Sequence, residues 1–95
     1  MTKLKEYKMF IDGEWVDSES KKKFETLNPE NNEPWAVVPE ASAKDVDRAV
    51  TAAQKAFEGK WPSLFPRERA NYLKAIANQL RENAELLGKI ETIDT

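Results

Sequence analysis

Two residue types are missing altogether from these 95 residues, cysteine and histidine. Without cysteine there is no disulfide, no thiolate nucleophile and no thiolate zinc site. Without histidine the commonest general base and the commonest metal ligand go together, and with them serine triads of the usual kind. Glycine is scarce. Gly13, Gly59 and Gly88 lie too far apart to form the backbone cradle that binds phosphate. No run approaches the roughly 18 apolar residues of a transmembrane helix, and the Lys-rich stretch 1–7 leads into no apolar core of the kind a secretory signal needs. A cytoplasmic protein without membrane contact is expected. A charge excess is also lacking, with 15 basic against 17 acidic residues and a net charge of −2. A nucleic-acid surface would want a basic face, and the short run Lys21 to Lys23 reads as a solvated loop. The chain by itself is not expected to be an enzyme.

What is present suits one small domain of thin amphipathic elements, with 40% apolar and 34% charged residues. A compact chain of this length hides only about 60–65% of the surface it exposes when unfolded, so little stability is to spare. Lys8 to Ile11 and Glu14 to Val16 flank Asp12-Gly13, a dipeptide that favours the tight type I′ turn of a hairpin. Phe24 to Leu27 forms a third strand stopped by Asn28-Pro29, since proline cannot donate to a ladder. After the turn Asn31 to Pro34, Trp35 to Val38 forms a fourth, and the expectation is a four-strand meander. Ser42 then caps a helix, with Asp45 three positions on in the place of a capping box. Val46, Val50, Ala53 and Phe57 make one face of that helix, which Gly59 ends. Trp61 to Phe65 is a loop, Pro66 opens a second helix with the stripe Leu73, Ile76, Ala77 and Leu80, and Asn83 either breaks it from a third bearing Leu86, Leu87, Ile90 and Ile93 or lets that segment continue the second. The apolar periodicity reaches Ile93, two residues before Thr95, so the natural protein is expected to continue. Acidic residues mostly lie opposite the apolar stripes, as a solvated face. Trp15, Trp35 and Trp61 either fill a core or pack against surface supplied from elsewhere.

The order of these segments resembles the start of NAD(P)-dependent aldehyde dehydrogenases. Phe10 to Val16 is similar to the family's opening hairpin, and Phe24 to Pro29 to its next strand. Asp45 to Val50, with Ala52-Ala53 and Ala56-Phe57, is similar to its first helix. Trp61, then Pro66 to Ala70, Leu73, Ile76-Ala77 and Leu80 resemble its second, and Glu91 to Thr95 resembles a Glu-Thr-Leu-Asp-Thr segment. The resemblance covers about residues 8–95, with a lean towards betaine aldehyde dehydrogenases. It implies an α/β fold in which residues 1–95 begin a Rossmann-like cofactor domain, with strands in 1–41 and helices in 42–95. The catalytic domain and oligomerisation arm would lie elsewhere. It implies oxidation of an aldehyde with NAD or NADP, through a cysteine nucleophile and a glutamate-activated water, in a homo-oligomer. None of those catalytic or cofactor-binding residues matches a position here. One site does. In some relatives a potassium or sodium ion is held near the start of the cofactor domain, and the matching positions are Thr26 and Leu27, through backbone carbonyls, and Asp94, through its carboxylate. Oxygen ligands suit such a hard cation. A self-standing α+β interaction module and an obligate oligomer are the rival expectations.

Overall fold

The computed structural model describes residues 4–95; residues 1–3 of the Lys-rich N-terminus lie outside the description. Five strands precede three helices: β1 (Lys5–Glu6), β2 (Met9–Ile11), β3 (Glu14–Val16), β4 (Lys23–Asn28), β5 (Glu33–Pro39), α1 (Ala43–Glu58), α2 (Pro66–Glu82) and α3 (Ala84–Asp94). The α/β class and the passage from strands to helices near Ser42 are as expected. How the strands connect is not. β2 and β3 form a hairpin of their own, while β4, β5 and β1 make a separate sheet in the order β1-β5-β4. β1 joins β5 in parallel, and Tyr7 N–H adds a bond to the Val37 carbonyl at 3.0 Å. Two charged residues carry no strand periodicity, which is why β1 leaves no trace in the sequence.

The hairpin turn is of the expected type. Asp12 and Gly13 both have positive φ, 52° and 79°, as a type I′ turn requires. Phe10 faces Trp15 across the pair, their ring centroids 4.9 Å apart in an edge-on arrangement. Between β4 and β5, Asn32 takes φ 58°, the left-handed role that asparagine tolerates, while the Asn28 and Asn31 side chains accept the Glu30 and Glu33 N–H groups, each at 3.0 Å. The β4–β5 register shifts between Thr26 and Leu27. Thr26 pairs with Ala36 and Leu27 with Pro34, so Trp35 is the extra residue of a bulge.

Ser42 caps α1, and its hydroxyl and backbone N–H complete a true capping box with Asp45. Gly59 ends the helix, though not through a left-handed φ: a Cβ there would stand 3.0 Å from the Lys55 carbonyl, so the requirement is room. Trp61–Ser63 winds into a single 3-10 turn where a loop was expected. Pro66 starts α2 as expected, and the Glu68 carboxylate accepts the Phe65 N–H at 2.9 Å. Asn83 parts α2 from α3, its side-chain amide bonded to the Gln79 carbonyl at 2.8 Å.

Burial is thin. Among the described residues Ala36 is the one apolar residue fully buried. The radius of gyration is 16.9 Å, against about 13 Å for a compact chain of this size. The accessible surface is 8124 Å², where a compact monomer of this mass would expose about 5,600 Å². Exposed large apolar residues occur on the strands, as at Phe10, Trp15, Phe24 and Leu27, and in greater number on the helices. Val50, Phe57, Leu73, Ile76, Leu80 and Leu86 form the expected stripes, and all of them are exposed. The periodicity locates the helices correctly, but the faces it marks are covered only in part, as at Ala77, Ile90 and Ile93.

Candidate functional site

The last residue of α3 returns to the sheet. α3 packs on β4, and the Asp94 Oδ1 atom accepts the Thr26 hydroxyl at 2.5 Å and the Trp35 indole N–H at 3.1 Å. Thr26 and Asp94, two of the three expected cation ligands, thus meet across most of the chain. They meet through the Thr26 hydroxyl, in a hollow also lined by Tyr7, Phe24, Val38 and Ile90. Leu27 follows Thr26 on β4, opposite Pro34. Proline offers no N–H to the ladder, and Leu27 is not among the residues that line the hollow. Asp94 stands at the negative end of the α3 dipole, and the last turn of α3 has no basic residue. Among the described residues no Lys or Arg pairs with it. Trp35 is the partner that sequence reading missed, because the bulge that aims it is invisible in a linear pattern.

A second cluster is built on Asp45, 1% exposed, and Ser18, 2% exposed. Asp45 Oδ2 accepts the Ser42 N–H and the Ser18 hydroxyl, each at 2.8 Å. Its Oδ1 accepts the Glu19 N–H at 3.1 Å and Arg48 Nη2 at 2.7 Å. The Ser42 amide does most to hold the Asp45 carboxyl well below the usual carboxylate range. Burial opposes it, and Ser18, Arg48 and the Glu19 amide reinforce it. Chemically this is a latch, with each carboxylate oxygen engaged and none left to act as base or ligand. The capping-box place expected for Asp45 is found, and the turn after β3 also folds over its carboxylate.

The tryptophans divide. Trp35 is half-buried beside Tyr7, whereas Trp15 is 69% exposed and Trp61, tilted against Tyr72 at 5.7 Å, is exposed too. Core filling therefore does not describe Trp15. Among the described residues no three acidic side chains converge as a metal cluster, and no helix is long and apolar enough to cross a membrane.

These elements in this order recur in known proteins. The model of the aldehyde dehydrogenase family matches residues 15–95. An aldehyde dehydrogenase of Aspergillus niger is 48% identical over 86 residues, which are 90% of this chain and 17% of that protein. The NAD+ complex of an aldehyde dehydrogenase from Bacillus cereus superimposes with a TM-score of 0.91 at 43% identity, over 95% of this chain and 18% of that one. A betaine aldehyde dehydrogenase from Staphylococcus aureus, also in complex with NAD+, gives 0.88 at 39%, over 93% and 18%. The chain thus spans less than a fifth of the length of these relatives. Within that span it carries their fold and much of their sequence, and it belongs to the aldehyde dehydrogenase family.

Proposed function

We propose that this chain is the N-terminal portion of an enzyme that oxidises an aldehyde to a carboxylic acid with NAD+, and that these 95 residues serve it as scaffold. The observation that carries the reading is the likeness to two NAD+ complexes at 39–43% identity. NAD is preferred to NADP because NAD+ is the cofactor in both. When bound, the nicotinamide accepts the hydride. Gly13 is in a hairpin turn, Gly59 at a helix end and Gly88 inside α3, so no phosphate cradle exists among them. These residues hold no cysteine, so a cysteine nucleophile, if the enzyme uses one, would come from elsewhere in it. The bare helical faces favour cover by a cofactor-domain core and by a partner subunit in a dimer or tetramer. A cytoplasmic location fits the resemblance. Identity to the betaine enzyme is no higher than to the Bacillus enzyme, so the substrate is proposed only as an aldehyde.

The test is an assay of the purified full-length protein with NAD+ and a panel of aldehydes. Reduced nicotinamide should accumulate together with the acid, and no reduction with any aldehyde would overturn the reading. The 95-residue chain alone should bind no NAD+ by calorimetry, and tight binding would relocate the cofactor residues into it.

A second reading concerns the Asp94 hollow. A potassium or sodium ion there would be held by the Asp94 carboxylate and the carbonyls of Thr26 and Leu27. Its support is the meeting of Thr26 with Asp94 and the negative helix end, which has no basic partner among the described residues.

A further inference from the structure

We infer that the groove at the α2–α3 break is filled, in the full-length protein, by an apolar stretch of the same polypeptide from outside these 95 residues, and not by a second copy or by solvent. The inference rests on the reading that this chain is the N-terminal portion of a longer enzyme, and it assigns one of the bare faces to the chain's own core. The groove has a volume of about 470 Å³. Tyr72, Ile76 and Leu80 line it from α2 at spacings of four, and Leu86 and Leu87 line it from α3. Side chains four apart lie one above the other on a helix face, so the α2 wall is an unbroken apolar ridge. Asn83 is bonded on both sides of the break. Its backbone N–H and its side-chain amide donate to the Gln79 carbonyl at 3.1 and 2.8 Å, and its own carbonyl accepts the Leu87 N–H at 2.9 Å. The two walls are therefore set before anything lies between them.

Three observations choose the occupant. The first is charge. Charged residues make up 34% of the chain, yet no Lys, Arg, Asp or Glu lines the groove, and its polar members, Gln79 and Asn83, are neutral. A contact that forms once and stays is depleted in charge at its centre, and a charged peptide would find nothing there to pair with. The second is continuity. Leu87, Ile90 and Asp94 recur at spacings of three and four, so they share one face of α3. Ile90 and Asp94 already meet the sheet, in the hollow with Phe24, Trp35 and Val38. The groove is thus the open end of a face that the chain uses for its own packing, and whatever fills it extends that core. The third is the chain available. In the Bacillus cereus enzyme the same elements keep this arrangement within a chain of which they are 18%. A stretch joined covalently also escapes the loss of translational freedom that a separate copy would have to offset.

The experiment puts a benzophenone-bearing phenylalanine in place of Tyr72 in the full-length protein, irradiates it, and reads the product on a denaturing gel and by peptide mass spectrometry. The expected product has the mass of a single chain and is joined to an apolar stretch outside residues 1–95. A product of twice that mass would mean that a second copy fills the groove, which overturns the inference and leaves the family reading in place. Reaction only within residues 1–95, or none beyond quenching by water, overturns it too. If the single chain itself weighs no more than 10.9 kDa, the reading of a longer enzyme fails instead. Ile76→Ala and Leu87→Ala give a second measurement on the same protein. Each should lower the melting temperature, and by the same amount over about a hundredfold dilution, because a contact within one chain does not depend on concentration. A deficit that grows on dilution would assign the groove to a second copy. No deficit at all would leave it to solvent, and either result overturns the inference.

Discussion

Around Asp45 the strand region and the first helix close on one another through a carboxylate that five groups engage, while along α2 and α3 the leucines that should close a core stand in the open. Both regions have well-formed secondary structure. They differ in what holds it in place. The latch depends on polar groups that find each other over short distances and need no large core. The helical region depends on apolar area, and apolar area stabilises only when something covers it. A segment of this kind can fix its own turns and caps and still lack the burial that would make it stable, because hydrogen bonds specify geometry while hydrophobic burial supplies most of the free energy.

The sharpest way to break the comparison is Leu80→Ala, made both in this chain alone and in the full-length protein. Leu80 is 55% exposed here. In the isolated chain the change should shift stability by no more than about 0.5 kcal/mol, as for other surface positions. If the longer protein covers α2, the same change should cost about 2–5 kcal/mol there, the range for a buried leucine. Chemical denaturation of both pairs decides it. Equal small effects in the two settings would mean that the α2 face meets solvent in the full-length protein as well.

The latch predicts the next largest effect. Ser18→Ala removes a buried hydroxyl that donates to a charged carboxylate, and it should cost about 1.5–3 kcal/mol. The pH dependence follows from the sign of the Asp45 shift. Its carboxyl is depressed in the folded state, whereas the unfolded chain takes up that proton near the ordinary value of about 3.9. The stabilisation is therefore complete at neutral pH and is lost below about pH 5, as acid protonates the unfolded chain first. Asp45→Asn should flatten that acid limb. A parent and an Asp45→Asn variant that lose stability in parallel between pH 5 and pH 3 would show that the latch is not what acid breaks.

The same contrast accounts for what a linear reading could see. Local signals were legible: Asp12-Gly13 as a hairpin turn, Ser42 and Pro66 as helix starts, Asn83 as the break between α2 and α3. Non-local pairings were not. β5 lies between β1 and β4, a placement set by register and by which neighbour is free, and nothing in Lys5-Glu6 announces it. Asp45 shows itself as a cap residue, but its bonds to Ser18 and Glu19 cross more than twenty residues and have no signature. At the Asp94 site the resemblance named Thr26, Leu27 and Asp94, and the structure joins two of them by a direct hydrogen bond. It could not name Trp35, because a bulge depends on the partner strand as much as on its own residues.

The smallest effect separates the latch from the charges around it. Lys44 Nζ lies 3.1 Å from Glu19 Oε1, but the two side chains are 78% and 48% exposed. Glu19 also gives its backbone N–H to Asp45, so its position is secured without the ion pair. Water screens such a pair, and ordering two long side chains costs entropy that offsets most of the attraction. A double-mutant cycle with Lys44→Ala and Glu19→Ala should therefore give a coupling of no more than about 0.5 kcal/mol, falling further in high salt. A coupling above about 1 kcal/mol that persists in high salt would mean that the pair is shielded in the whole protein. The latch would then extend outwards into a buried network, and the division between a region held by polar contacts and one that depends on apolar cover would have to be redrawn around it.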